Sequence, residues 1–584
     1  MKTQKTIDPV TKQVIRNALA AAADEMKLTL LRTAHSPLIY ETLDFSVAVT
    51  NRKAELVGQS AGLACFLGSL AMTFRNGLKR LGREGFEDGD VILANDPYET
   101  GTHIVDTALY APIFYDGELV AFAGDMAHWS DIGGSQAGGW NPSSTSIYEE
   151  GLRFVHKKLY ERGELNKTFF EFILDNLRFP DLAAGDIRAQ VAACHTAARR
   201  YVALCNKYGP ESIDLAMEAA FDDAEALVRA AIDEMPDGSY QAEMLMDHDG
   251  VVTDKPVKLK VTVTIDGSDM TIDTTGSERA TVGGVNTGYI GTLAAAQYAL
   301  KALTVPLEPP NEGHVRPLKV IAPPDTVFNA QYPAACDSYG YVLNFLPDLV
   351  FKALSEAIPD KCPAGNYTLF GSCFFRTDPR YGRPFICMEP VFGGWGGRPG
   401  RDGQNAVIFN MDGDTYNMPI EAVETRYPLL VERHMLNPAS AGTGKYRGGF
   451  GVIRDYQALE DNVDFFYANE QTINPPWGLL GGKPAAPSYI VVRPGTPEET
   501  ILWAKGSTIK PLAAGEQLAL RSGGGGGWGD PRERDPDLVL EDVRNEFMSK
   551  KQAREDYGVV IKGRRNLVVD LEATMQLREP HRKA

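Results

Sequence analysis

The spacing of hydrophobic residues changes several times along this 584-residue chain, and each change marks a structural element. Near the start, Asp8 can cap a helix and Pro9 suits its first turn. The pattern predicts a helix from Pro9 towards Leu31. Its apolar residues recur at helical spacing, at Val10, Val14, Ile15, Ala18, Leu19 and Ala22.

A period of two then takes over, which is typical of strands with one face buried. Asp44–Val49 alternates in this way and predicts a strand. Val91–Ala94 predicts a short buried strand that stops at the turn signal Asn95-Asp96-Pro97. The runs Thr107–Phe114 and Glu118–Gly124 flank Asp116-Gly117, a strong hairpin signal.

Helical and extended patterns alternate in the rest of the chain. Helices are predicted from about Lys167 to Glu234, and Val257–Ile265 alternates as a strand. The region 367–522 is rich in glycine, proline and short β runs, and the tail Asp537–Asp556 returns to helix. Mixed helices and antiparallel hairpins make α+β the expected class, with several layers, an N-terminal α/β metal-site region and a β-rich C-terminal half.

The length suggests more than one domain. The change of character near Pro236 and the glycine-rich region after residue 366 predict three parts. These are an N-terminal metal-site domain over 1–236, a central α+β domain over 237–366, and a β-rich domain with a helical tail over 367–584.

Composition narrows the possible functions. The formal net charge of −18 argues against binding to nucleic acid or to an anionic membrane, both of which need a basic surface. The seven cysteines are scattered without a C-x-x-C pair, as in a reducing compartment. The opening MKTQKTIDPV lacks an apolar signal core, and the run Gly62–Met72 is too short to span a bilayer. We therefore expect a soluble cytoplasmic protein.

The most informative residues for chemistry follow the strand that ends near Asn95. His103 and Asp106 lie three residues apart, and in a turn or short helical stretch that spacing brings both side chains to one face. His128 ends the second strand of the hairpin and Asp44 begins an earlier strand. All four can converge at one set of strand ends.

Two imidazoles and two carboxylates suit zinc, manganese or iron, with a coordination position left for water or substrate. Asp131 and Asp125 are expected to orient an imidazole as partners of the ligands. The spacing also fits a plain alternative, in which each histidine satisfies the polar groups of a buried loop. Farther along, Gly523–Gly527 could form an anion nest, although a plain hairpin or loop is favoured because no P-loop pattern follows.

These residues lie in segments that resemble the B-type subunit of the ATP-dependent hydantoinase/5-oxoprolinase family, which also includes subunits of acetone and acetophenone carboxylases. The resemblance runs almost end to end. The segments that carry it are Glu41–Ser46, Asn95–Asp106, Ala127–Gly134, Asn311–Gly313, Arg316-Pro317, Glu421–Glu424, Tyr446–Gly449, Pro476–Leu479, Gly524–Pro531 and Ala553–Val560.

The resemblance implies a metal held by Asp44, His103, Asp106 and His128. We expect these residues, together with Asp131, to be the catalytic ones. It also implies a hetero-oligomer in which an A-type partner binds ATP and phosphorylates the substrate's carbonyl or enol oxygen. The activated cyclic amide is then hydrolysed, or, in the carboxylases, an activated ketone is carboxylated. One departure is Trp129, where the family often has a second histidine, and it puts the substrate pocket in question.

The leading hypothesis is therefore a metal-containing catalytic subunit of an ATP-dependent cyclic amide hydrolase, which is inactive without its partner because the chain has no recognisable ATP site. A subunit of an acetone- or acetophenone-type ketone carboxylase is the alternative. Two further hypotheses are a scaffold whose metal only stabilises the fold, and a metallohydrolase that needs no ATP.

Overall fold

The computed structural model describes residues 7–376, 382, 384–507 and 510–582. The helices of this part of the chain are α1 Pro9–Thr33, α2 Pro37–Tyr40, α3 Ala64–Leu81, α4 Pro97–Thr100, α5 Ile147–Glu150, α6 Lys167–Asp175, α7 Pro180–Tyr208, α8 Pro210–Asp233, α9 Tyr289–Leu303, α10 Gly340–Leu354, α11 Ile420–Arg426, α12 Pro536–Arg544, α13 Lys550–Tyr557 and α14 Leu571–Arg582. Within the described ranges, no helix is long and apolar enough to cross a membrane.

The strands belong to five sheets. In chain order they are β1 Phe45–Asn51, β2 Leu56–Gln59, β3 Val91–Ala94, β4 Asp106–Tyr115, β5 Glu118–His128, β6 Lys157–Glu161, β7 Glu164–Leu165, β8 Gly238–Met246, β9 Val257–Asp266, β10 Asp269–Asp273, β11 Leu318–Ile321, β12 Phe370–Arg376, β13 Phe385–Pro390, β14 Leu429–Asn437, β15 Gly451–Ala458, β16 Asp464–Asn469, β17 Tyr489–Val492, β18 Thr500–Leu502, β19 Gly506–Ser507, β20 Gln517–Arg521, β21 Ile561–Lys562 and β22 Val568–Val569.

The first sheet is the framework of the N-terminal region. Its seven strands run in the order β2-β1-β5-β4-β3-β6-β7, and neighbouring strands are antiparallel. Helices α1 and α7 cover one face and α3 covers the other. Successive side chains of β1 therefore enter different cores: Phe45 and Val47 pack with the residues of α1 and α7, whereas Ala48 packs with those of α3. The predicted strands and hairpin of this region are confirmed.

The first helix is confirmed, but its predicted apolar face is partly wrong. Asp8 caps it by accepting a hydrogen bond from the Thr11 amide at 2.8 Å. The buried stripe begins at Ile15, whereas Val10 and Val14 are exposed. A helix turns by about 100° per residue, so Val14 points well away from the stripe that Ile15 begins.

The central and C-terminal regions confirm the α+β class and the β-rich second half. The second sheet has the order β11-β10-β9-β8 and packs against α10. The third and fourth sheets have the orders β13-β12-β16-β19 and β14-β15-β20-β17-β18. The tail predicted to return to helix contains the two helices α12 and α13. The three-domain division stays a prediction, and the largest core cluster includes residues from all three of its parts.

The glycine-rich segments form a backbone-packed bundle rather than an anion nest. Gly525 donates its amide hydrogen to the Gly449 carbonyl at 3.0 Å, and Gly526 donates to Gly365 at 2.8 Å. A Cβ atom at Gly525 would lie 1.9 Å from the Trp395 carbonyl oxygen. Because the amides of Gly525 and Gly526 already donate to carbonyls of neighbouring segments, they are not free to bind an anion, and the segments approach too closely for any side chain.

Candidate metal centre

The β4–β5 hairpin brings two predicted ligands face to face. Asp106 is the first residue of β4 and His128 is the last of β5, and the two residues are paired directly across the strands. Directly opposite residues have Cβ atoms about 5 Å apart. At the other end, Asp116 and Gly117 form the predicted tight turn, both with positive φ. The register shifts by one residue beside Ile113, and this bulge sets Asp106 opposite His128.

His103 joins them from the turn that connects α4 to β4. The candidate ligand atoms of His103, Asp106 and His128 all lie within 4.8 Å of one another. His103 Nε2 lies 3.1 Å from Asp106 Oδ1. Among the described residues, that oxygen has no hydrogen-bond partner, although it is buried. Two close ligand atoms without hydrogen-bond geometry, on buried side chains, fit a shared divalent cation.

Backbone carbonyls orient both imidazoles. His103 Nδ1 lies 2.8 Å from the Asp337 carbonyl oxygen, and His128 Nδ1 lies 2.9 Å from that of Trp129. A carbonyl oxygen only accepts, so Nδ1 carries the proton and each Nε2 keeps its lone pair for a metal. The chain thus fixes the tautomer that a metal ligand requires.

The expectation that Asp131 and Asp125 orient an imidazole is wrong. Asp131 accepts hydrogen bonds from the backbone amide and the guanidinium of Arg178, at 2.7 and 2.8 Å. Asp125 accepts from Gln190 at 2.7 Å and contacts Cys194. Asp125 thus joins the first sheet to α7, because the alternation of β5 sends its side chain to the face of the sheet that α7 covers. Asp131 joins the loop after β5 to the segment between α6 and α7.

The interpretation of Trp129 as a pocket residue is also wrong. Its ring is buried in the core beside α7, and its indole Nε1 donates to Gln190 at 2.9 Å. The tryptophan that lines the cavity at the metal centre is Trp140. The departure from the family pattern at Trp129 therefore affects the packing of α7 on the sheet.

Asp44 lies in the same cavity without belonging to the close group of three. It precedes β1, and its carbonyl oxygen accepts a hydrogen bond from the His128 amide at 3.1 Å. Burial raises the pKa of the Asp44 carboxyl well above its usual range, and the charges of Asp106 and Asp412 raise it further. The structure thus brings three of the four predicted ligands together and places the fourth on the wall beside them.

The pKa values of the two histidines differ because the surrounding acidic residues act more strongly on His103 than on His128. Burial lowers the pKa of His103, but the neighbouring Asp106 carboxylate, together with the charge and backbone carbonyl of Asp337, outweighs burial and raises that pKa to about 9. Burial prevails at His128 and lowers its pKa to about 4. Without a metal, His103 therefore carries the proton that balances Asp106 at neutral pH.

Distant residues that the sequence patterns did not reveal complete the site. Tyr339 donates its hydroxyl to Asp106 Oδ2 at 2.9 Å. Glu150 Oε1 accepts the amides of Cys336 and Asp337, at 2.7 and 3.0 Å, and so fixes the turn that holds His103. These residues have no motif spacing relative to the ligands, and only the folded chain brings them together.

The four predicted ligands line one internal cavity of about 80 Å³. Besides Asp44 and Asp106, its carboxyl groups are Asp337, Glu389 and Asp412. Burial, followed by the charge of Asp106, raises the pKa of Asp412 to about 7. We call this space, with its lining residues, the central cavity. Its large apolar side chains include Phe66, Trp140, Leu369, Phe370, Met388 and Phe409.

Comparison with known proteins defines the class of this chain. Residues 8–531 match the family model described as Hydantoinase B/oxoprolinase, so the chain belongs to that family. The resemblance inferred from the sequence segments is thereby confirmed.

Particular relatives cover the full length. The chain is 33% identical to the B-type subunit of a putative D-/L-hydantoinase of Pseudomonas sp. strain NS671, with 98% of each protein covered. It is 31% identical to the caprolactamase beta subunit of Pseudomonas jessenii, over 99% of this chain and 100% of that protein. Its likeness to 5-oxoprolinase of Dictyostelium discoideum, at 28% identity, covers 90% of this chain and 40% of that protein.

Two solved structures share the fold. The ATP-dependent caprolactamase from Pseudomonas jessenii superposes with a TM-score of 0.88 at 29% identity, covering 98% of this chain and 100% of that chain. The nucleotide-free acetone carboxylase superposes with a TM-score of 0.90 at 20% identity, covering 99% of this chain and 83% of that chain. At that identity, the second likeness establishes the fold alone.

Proposed function

We propose that this chain is the metal-containing catalytic subunit of an ATP-dependent hydrolase that opens cyclic amides. The observation that carries the proposal is the buried group of His103, Asp106 and His128, set in an internal cavity of a chain that belongs to the hydantoinase B/oxoprolinase family. The relatives named as hydantoinase and caprolactamase subunits support the substrate class.

In this proposal, His103, Asp106 and His128 hold zinc, manganese or iron, and Asp44 is the fourth ligand. The donor set of imidazole nitrogens and carboxylate oxygens fits these ions. When bound, such an ion supplies Lewis-acid chemistry that polarises an oxygen of the substrate or of water. The carbonyl of Asp337 keeps the imidazole of His103 in place during turnover.

Asp412 is a group that can move a proton in the central cavity. Its carboxyl lies among the cavity residues, and a pKa near 7 lets it hold or release a proton at neutral pH. Protonation of the departing amide nitrogen is the step that such a carboxyl can serve. The apolar side chains of the cavity exclude bulk water, which strengthens each polar contact inside it.

In this proposal, the partner subunit binds and uses the ATP. The A-type partner holds ATP and activates the carbonyl oxygen of the cyclic amide, and this chain then hydrolyses the activated ring within a hetero-oligomer. An unstrained amide resists hydrolysis, so converting its oxygen to a phosphate ester makes a better electrophile. The relatives are themselves named as B-type and beta subunits, which supports this division of work.

The test is ATP-dependent ring opening by the chain co-purified with its A-type partner. Hydantoin, 2-pyrrolidinone and ε-caprolactam are the first substrates, with the ring-opened product followed by mass spectrometry. We expect His103→Ala and His128→Ala to abolish turnover while the complex still assembles and melts at an unchanged temperature. The matched control is His156→Gln, which alters a buried histidine that bonds Tyr110 outside the cavity.

Three results would contradict the proposal. Product formed without ATP would favour an ordinary metallohydrolase. Loss of folding in both alanine variants, with no separate loss of turnover, would favour a scaffold. Label from bicarbonate retained in a stable carboxylic acid would favour a ketone carboxylase, and acetone and acetophenone are included as substrates for that reason.

A further inference from the structure

Carboxyl groups predominate among the ionisable side chains that line the central cavity. Five carboxyl groups line it, from Asp44, Asp106, Asp337, Glu389 and Asp412. Among the described residues that line the cavity, none is a lysine or an arginine. A metal ion of charge +2 would offset Asp44 and Asp106 and leave no positive charge over for another anionic group.

One arginine behind the wall, Arg454, is already paired with a carboxylate that lines the cavity. Arg454 donates to Glu389 Oε2 at 2.8 Å, and both side chains are 1% exposed. The Tyr456 hydroxyl also donates to this carboxylate. Because a buried ion pair of this kind is costly to separate, Arg454 compensates Glu389 and is not available to a bound molecule.

The uncharged part of the wall can hold a neutral polar group and an apolar body. Thr42 and Thr415 are among the residues that line the cavity, and their hydroxyl oxygens are buried without a hydrogen-bond partner among the described residues. A buried hydroxyl without a partner costs free energy, which a bound amide or carbonyl group would recover. Apolar side chains such as Phe66, Met388 and Phe409 surround the remaining space.

From this arrangement we infer that the substrate, apart from the carbonyl oxygen that the partner activates, is compact, uncharged and apolar, and that it carries no carboxylate. This inference rests on the proposed function, because it specifies the substrate class of the same site. The metal ion is the one positive charge available to the activated carbonyl oxygen. A second anionic group on the substrate would be buried against carboxylates with no cation beside it.

A matched pair of lactams tests the inference. 2-Pyrrolidinone and 5-oxoproline share the same five-membered ring, and the second differs from the first by one carboxylate. With the ATP-dependent complex, we expect kcat/KM for 2-pyrrolidinone to exceed that for 5-oxoproline by about 100-fold or more. Equal values, or a preference for 5-oxoproline, would overturn the inference and leave the proposed function standing.

Equilibrium binding further separates the inference about substrate charge from the proposed function. The zinc-loaded complex is titrated with each lactam in the absence of ATP, and binding is followed by calorimetry. Binding of 2-pyrrolidinone with no detectable binding of 5-oxoproline supports the inference, even if neither lactam is turned over. Tighter binding of 5-oxoproline, or no binding of 2-pyrrolidinone, overturns it. Failure of every cyclic amide to react would count against the proposed function instead.

A change of charge on the wall should reverse the preference. Met388→Lys places a cation beside the cavity, and Met388→Gln is the control of similar size without charge. We expect the lysine variant to shift the ratio of kcat/KM values towards 5-oxoproline by about 10-fold or more relative to the glutamine variant. An unchanged ratio in a folded Met388→Lys complex would contradict the inference, and the wild-type comparison remains decisive if this variant does not fold.

Discussion

Metal binding at the central cavity should release protons, and the number released follows from the structure. Without a metal, the pKa of His103 is about 9 and that of His128 is about 4. At pH 7, His103 is therefore protonated and His128 is neutral. A metal needs both Nε2 lone pairs, so zinc must displace one proton from His103 and none from His128.

The same argument gives the magnitude of the pH effect. Release of one proton makes the apparent affinity for zinc rise by about 10-fold per pH unit, or about 1.4 kcal/mol, until the pH approaches the pKa of His103. The sign is fixed because the competing proton occupies the site more often at low pH. The pKa of Asp44 is also raised well above its usual range. If the Asp44 carboxylate joins the ligands, zinc binding releases up to one further proton from it.

The assay is calorimetric titration of metal-free protein with zinc at pH 6, 7 and 8, in buffers of different ionisation enthalpy. One proton per ion indicates three ligands, and a value approaching two indicates that Asp44 is the fourth. The His156→Gln variant is the control, since burial lowers the pKa of His156 to about 4 and it should contribute no proton. Zinc affinity that does not change from pH 6 to pH 8 would refute the assignment of His103 as a ligand.

Three further predictions concern stability, each measured by urea denaturation of the purified chain. Glu150→Ala removes the acceptor of two buried backbone amides and should destabilise the fold by about 2–6 kcal/mol and weaken zinc binding, whereas Glu150→Gln should keep most of both. Equal behaviour of the two variants would contradict the role of Glu150 as an acceptor. Gly525→Ala would place a Cβ atom 1.9 Å from a backbone oxygen and should cost at least about 3 kcal/mol, whereas Gly413→Ala, in open space at φ −49°, should change stability by less than about 0.5 kcal/mol. Similar losses of stability at both glycines would contradict the close backbone packing of the glycine-rich segments. Lys505→Met should cost about 3–5 kcal/mol because it leaves Glu470 buried without its partner 2.6 Å away. The double variant with Glu470→Leu should recover most of that loss, and no recovery would show that the pair is not coupled.

The close approach of three of the four predicted ligands could be predicted from the sequence because the signals that bring them together are local. The H-x-x-D spacing of His103 and Asp106 follows a turn, and Asp116-Gly117 predicts the hairpin that ends at His128. The bulge beside Ile113, which sets the final register, has no such signal. A hairpin without this bulge would place Asp106 opposite a residue other than His128. The side chain of Asp106 would then point away from the other predicted ligands.

Contacts between distant parts of the chain could not be predicted in this way. Tyr339 and Asp337 support ligands more than 200 positions earlier, and pairing over such distances leaves no periodicity in the sequence. Asp131 and Trp129 were misassigned for a related reason. Both closely follow a ligand in the chain, but Asp131 bonds Arg178 beyond α6 and Trp129 bonds Gln190 of α7, so nearness in sequence does not imply a shared cavity.

Some contacts that support the central cavity can form only late in synthesis, because a ribosome makes the chain from its N-terminus. The predicted ligands are complete once His128 has been synthesised, but the carbonyl and hydroxyl that fix them belong to Asp337 and Tyr339. At about 5–20 residues per second, the nascent chain spends tens of seconds, or less, with His103 and Asp106 lacking these two contacts. We expect tight metal capture to begin only after Asp337 and Tyr339 have emerged, so that a loaded site shows that synthesis has passed the middle of the chain.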